Sequence, residues 1–123
     1  MLMGPDEISV RLILETTDAR EANLSWEALR ALVVTQHWTL KSHLVRPYWK
    51  MPECFEVHCR VAPERDPDSA YDELVRALAE GWGPESTTPF SREVIWNPTS
   101  SAKFRLPRVR WAHVELIRGP RPA

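Results

Sequence analysis

Glycine is scarce, with four residues in a chain of 123. That leaves no G-x-G-x-x-G turn for a dinucleotide and no Gly-rich loop ending in Lys-Ser/Thr for a nucleotide phosphate, since both need backbone free of a Cβ. No G-x-S-x-G elbow and no H-E-x-x-H helix occurs, and the RNA-binding strand motif of fixed Gly and aromatic positions is missing. Cysteine is nearly absent. Cys54 and Cys59 lie five apart in an alternating stretch, so their side chains project to opposite faces and cannot bridge each other. Without C-x-x-C or Cys/His finger spacing, structural zinc is not expected. No apolar run approaches the roughly 18 residues of a membrane span. The opening MLMGPDEISV lacks a basic region followed by an apolar stretch, so no signal peptide and a cytoplasmic location are expected. The motifs imply no cofactor, no metal and no catalytic residue.

What is present is ordinary for a globular domain: 43% apolar and 27% charged residues. The length predicts one domain, over 1–118, with the Pro-rich 119–123 as a disordered tail. Repeats, linkers and low-complexity segments are absent. Eleven prolines punctuate the chain, each at a position that suits a turn or an element end. Residues 8–15 alternate, with Ile8, Val10, Leu12 and Leu14 on one face and Ser9, Arg11 and Glu15 opposite, which predicts a strand. Ser25 suits a helix cap, with Leu24 stapling to Leu29 and the stripe Trp26, Leu29, Leu32 and Val33 buried; 18–23 can add an earlier turn. Residues 38–46 and 53–61 read as two strands joined by PYWKMP. Asp66-Pro67 opens a second helix with Ala70, Leu74, Ala77 and Leu78 inward, and Gly81 ends it. Two further strands follow, at 91–97 and 108–118. The order predicts an α+β fold, a mostly antiparallel sheet with two helices on one face, in the split β-α-β-β-α-β (ferredoxin-like) arrangement with the final strand added at the C-terminal end.

Charge is unevenly distributed. Residues 1–91 hold 9 basic and 15 acidic side chains, whereas 92–123 hold 7 basic and 2 acidic, against a total of −1. The stretch Trp96-Asn97-Pro98-Thr99-Ser100-Ser101-Ala102-Lys103-Phe104-Arg105-Leu106-Pro107-Arg108-Val109-Arg110-Trp111 has four basic residues and no acid. Arginine forks bind carboxylate or phosphate, and arginine and tryptophan are favoured at binding hot spots. Trp96, Lys103, Phe104, Arg105, Arg108, Arg110 and Trp111 are therefore the candidate partner-binding residues. The competing explanation is a solvated loop whose arginines pair with acids of the N-terminal part.

Other constellations carry less. His43 and His58, on the two strands of the proposed hairpin, come opposite each other in one register, and with His113 would offer a metal site or a general base; separate histidines explain them as well. Asp66, Asp68, Asp72 and Glu73 at a helix start are explained by the helix dipole. Of the six tryptophans, Trp26 fits the helix stripe, Trp38 and Trp96 suit the sheet, and Trp49 and Trp82 lie near turns.

In length, α+β pattern, tryptophan content, a charged C-terminal half and the segments Trp96-Asn97-Pro98 and Arg108-Val109-Arg110-Trp111-Ala112-His113-Val114-Glu115, the chain resembles the small bacterial immunity proteins of polymorphic toxin systems. The resemblance implies a non-catalytic module that binds one cognate protein toxin domain, steered by complementary charge. One alternative is a nucleic-acid binder, with the basic residues on phosphates and Phe104, Trp111 and Trp96 stacking on bases, opposed by the acidic remainder of the chain. Another is a dimeric ferredoxin-like enzyme or ligand carrier with a pocket around His43, His58 or His113.

Overall fold

The computed structural model describes residues 6–35, 38–99 and 103–119. Eight strands and two helices follow in the order β1 (Glu7–Leu14), α1 (Ala19–Thr35), β2 (Trp38–Pro47), β3 (Phe55–Pro63), α2 (Pro67–Leu78), β4 (Ala79–Glu80), β5 (Ser86–Thr87), β6 (Ser91–Trp96), β7 (Lys103–Phe104) and β8 (Val109–Ile117). Of the expected tail, Gly119 is described and 120–123 lies outside the described residues, as do the first five residues of the chain.

Six strands form one antiparallel sheet in the order β2-β3-β1-β8-β6-β5. β1 is central. Ile8, Val10, Leu12 and Leu14 meet Val61, Cys59, Val57 and Phe55 of β3, and Leu116, Val114 and Ala112 of β8 complete the same inward rows. Both helices cover this face. Ala22, Trp26, Leu29 and Val33 of α1 and Ala70, Tyr71, Leu74 and Leu78 of α2 join those strand residues in one cluster. Each fully buried Val or Leu here contributes about 1.5–3 kcal/mol relative to exposure.

The final strand does not stand at the end of the sheet, as the sequence order suggested. β8 pairs with β1 inside the sheet, and it is β6 and β5 that extend it outward. The physical reason lies in hydropathy on the inward face. Ala112, Val114 and Leu116 are all fully buried, whereas β6 offers only Val94 and Trp96 there and places Arg92 opposite Leu116. The strand with the fuller apolar row takes the interior place.

α1 begins several residues before Ser25. The Asp18 carboxylate accepts the Arg20 N–H at 2.8 Å and so caps the helix at Ala19. Ser25 is buried mid-helix, and Leu24, 64% exposed, makes no staple. α2 starts as its sequence indicates: Asp66 accepts the Ser69 N–H and Pro67 occupies the first turn. Gly81, at φ 83°, turns the chain shortly after the helix end.

The acids at the start of α2 do more than complement its dipole. Arg92 of β6, whose side chain is 15% exposed, donates to Asp68, Asp72 and Glu85 at 2.8–3.1 Å and lies over the Tyr71 ring. Arg118, just after β8, donates both of its terminal nitrogens to Asp68. The pair clamps α2 onto β6 and the end of β8. Its arginine hydrogen bonds hold the Asp68 carboxyl (Arg118 first, then Arg92) and the Glu85 carboxyl (Arg92 first) below their ordinary values. A lowered native value means stabilisation that is complete above the unfolded range, about 4, and is lost as pH falls through the lowered values. Arg92→Ala is expected to lower stability by about 1–3 kcal/mol in urea unfolding near neutral pH. It should also flatten the loss of stability below about pH 4. A variant as stable as the parent, with the same acid limb, would show that the clamp is incidental.

Candidate partner-binding face

With both helices on one side, the opposite side of the sheet is left open. Strand register arranges its side chains in rows. Arg60, Ser9, Glu115 and Glu93 form one row, His58, Arg11, His113 and Ile95 the next, and Glu56, Ile13 and Trp111 a third. Glu56 is the least expected member, a carboxylate 3% exposed. It is tolerable there because two guanidinium groups reach it, Arg46 at 2.8 Å and Arg11 at 3.1 Å.

At the third row the face deepens into a cleft of about 300 Å³ lined by Arg11, Ile13, Tyr48, Met51, Asn97, Arg110 and Trp111. Two local features build it. The β2–β3 connection folds into a tight turn, with the Tyr48 N–H bonded to the Cys54 carbonyl and the Cys54 N–H to the Met51 carbonyl, both at 2.9 Å. This turn brings Tyr48 and Met51 to the cleft and leaves Trp49 76% exposed beside them. On the other side, the β1–β8 register slips between Ile13 and Leu14, so that Leu14 faces Val109 and Arg110 is the extra residue. In a regular strand Arg110 and Trp111 would point to opposite faces; the bulge lets both line the cleft. Arg108 precedes it at φ 69°, in the left-handed region.

The sequence-based candidates disperse. Trp96 is a core residue, 3% exposed, whose indole N–H donates to the Glu80 carbonyl at 2.9 Å. Phe104 is half-buried with its ring edge-on to Trp96 and Trp82. Trp96 offers no surface to a partner, while Phe104 keeps one side on a groove at the end of α2; the short β4–β7 pair, with the Arg105 N–H bonded to the Leu78 carbonyl, fastens this part of the chain there. Lys103 and Arg105 are exposed beside a shallow groove there. Arg108 pairs with Glu21 of α1, and Arg110 lies 3.7 Å from Glu15. Two arginines of the basic stretch thus meet N-terminal acids, the internal charge match that competed with a partner. Only Arg110 and Trp111 reach the cleft. Arg11, Ile13, Tyr48, Met51 and Asn97 were missed; the polar parity of β1 and the aromatic PYWKMP link were the signals that pointed to them.

The histidines also separate. His43 faces Cys59 across the hairpin, and His58 faces Leu44, so the two lie on opposite faces. His43 stacks on Trp26 under α1, with ring centroids 4.5 Å apart. His58 and His113 flank Arg11 on the open face.

The Ser9 hydroxyl lies 2.8 Å from His58 Nε2, the first contact of a nucleophile and its base. That imidazole is driven the wrong way for such a role. Burial first, then the positive Arg11 and Arg60, push its pKa down and oppose the charged form that taking the serine proton would create. Burial raises both thiols, Cys59 to about 12, so neither is a thiolate at neutral pH.

A lowered His58 value again means stabilisation that is present above the unfolded pKa, about 6.5, and is lost as pH falls through the native one. A proton-coupled NMR titration is expected to place His58 below 6.5, and His58→Gln should flatten the stability curve just below that pH. A value at or above the ordinary one would contradict the burial argument.

No protein-family model matches the chain, and no curated protein and no solved structure matches it.

Proposed function

We propose that this chain is a non-catalytic binding module whose open sheet face seats one partner protein. In the finer reading the partner is a cognate toxin domain that the chain neutralises in the cytoplasm, as its resemblance to small immunity proteins implies. The split β-α-β-β-α-β arrangement belongs to the same proposal: β2-β3-β1-β8 is its strand order, with β4 to β7 inserted before the last strand.

The observation that carries the reading is the cleft. Its walls are aromatic and apolar (Tyr48, Trp111, Ile13, Met51), two guanidinium groups border it, and no acid lines it. Tryptophan, tyrosine and arginine in a concave site beside an exposed Trp49 are the residue types that dominate protein interfaces. A protruding apolar segment of the partner fits this lining. Nucleic acid fits less well, because Glu93 and Glu115 share the face and the arginines are already engaged by Glu56 and Glu15. A small-ligand carrier built around histidine finds little support, since none lines the cleft.

The test is co-purification with the tagged protein from its native host, followed by titration of the recovered partner. Trp111→Ala and Tyr48→Ala should each weaken the complex by about 30-fold or more, while Lys103→Ala and Arg105→Ala, at the far groove, change it little. A partner lost only with the latter pair would move the interface to the end of α2. Recovery of nucleic acid that falls away with salt would replace the reading.

A further inference from the structure

We propose that Glu93, His113 and Glu115 form a binding site for a divalent transition-metal ion of the zinc type on the open face of the sheet. The inference does not depend on the partner reading, and none of its three ligands lines the cleft.

Val94 and Val114 face the core as a cross-strand pair, so the residues on either side of them face out. Glu93 and Glu115 are direct cross-strand partners and His113 is the diagonal neighbour. One donor atom from each side chain lies within 4.8 Å of the other two, and all three residues are half-buried. Donors bound to one ion at about 2.0–2.2 Å stand about 3.5 Å apart, so small rotations of two glutamate side chains close the site. The strand backbones beneath are fixed by the ladder.

The charge arrangement calls for a cation. Two carboxylates directly opposite each other in an antiparallel pair repel. Glu93 has the His113 ring, Nε2 to Oε2 at 2.7 Å. The Glu115 carboxylate has neither a hydrogen bond nor an ion pair among the described residues. The arginines of the adjoining positions are taken: Arg11, beside His113, binds Glu56, and Arg60, across Ser9 from Glu115, binds Glu7 at 3.5 Å. The His113 ring is also held in place, nearly parallel to that of Trp111 with centroids 6.0 Å apart. An oriented imidazole presents its Nε2 toward one carboxylate, beside a second one that nothing else neutralises.

An imidazole with two carboxylates selects against calcium and magnesium, which prefer all-oxygen shells, and suits zinc and its first-row neighbours. Three protein donors leave a fourth position open. It faces the solvent side of the sheet, where a water or a donor atom from another molecule can complete the shell. Sequence spacing did not reveal this site because its ligands come from two strands with more than twenty residues between the outer pair, brought together only by register.

The experiment titrates zinc alone into the full chain, by calorimetry and by competition with a chromogenic chelator, and repeats the absorption measurement with cobalt. One equivalent should bind, the cobalt spectrum should lack thiolate bands, and His113→Ala should weaken binding by about 10- to 100-fold or more. Since His113→Ala also removes a hydrogen bond, Glu115→Gln is the sharper variant. It loses no described interaction and relieves a repulsion. Without metal it should melt at the same temperature as the parent or higher; with zinc only the parent should gain thermal stability. His58→Ala, on the same face, should bind as the parent does. Absence of stoichiometric binding by the parent, binding that survives Glu115→Gln, or a cobalt spectrum with thiolate bands would each overturn the proposal.

Discussion

The pairing of β1 with both of its neighbours is the constraint on which everything else depends. Val10 sits between Cys59 and Val114, and that single alignment fixes the parity of three strands. Because side chains alternate, a slip by one residue would send Ile8, Val10, Leu12 and Leu14 to solvent and bring Arg11 under the helices. The same parity places Ser9, Arg11 and Ile13 on the open side. Core and face are therefore two readings of one register, and the bulge at Arg110 is the one local departure that adds a side chain to the face without disturbing the core.

Much of the architecture was legible because strands and helices announce themselves by period. The five long strands and both helices lie where alternation, striping and the Asp66-Pro67 cap put them. What failed was anything that depends on who lies beside whom. The position of β8 was not legible because order along the chain says nothing about order across a sheet. Whether His43 and His58 share a face stayed open because the register shift between Leu40 and Ser42, which puts them on opposite faces, is invisible in the sequence. The start of α1 lay open between Asp18 and Ser25 because Ser25 is as good a cap by type as Asp18, and only the chain geometry chooses between them.

The basic stretch teaches a related lesson. A run of like charge in one dimension need not make a patch in three. Its members are scattered by the β4–β7 pair, by the left-handed turn at Arg108 and by the bulge, and they end in the core, at the end of α2, against α1 and in the cleft. Glu56 shows the converse. Its sequence neighbours, Phe55 and Val57, face the core, yet it gathers Arg11 and Arg46 from two other strands and so organises the positive side of the face.

The place of β8 also bears on how the chain reaches this state. The strand that fills the gap between β1 and β6 is the last in sequence, and Ile8 meets Leu116 across nearly the whole described chain. The first three strands and α1 can associate early, but their sheet keeps a bare edge at β1 until Val109–Ile117 has left the ribosome. Closing so long a loop costs entropy before any contact repays it. The fold therefore completes late and as a unit, and during synthesis the apolar edge of β1 is the surface that must be kept from other chains.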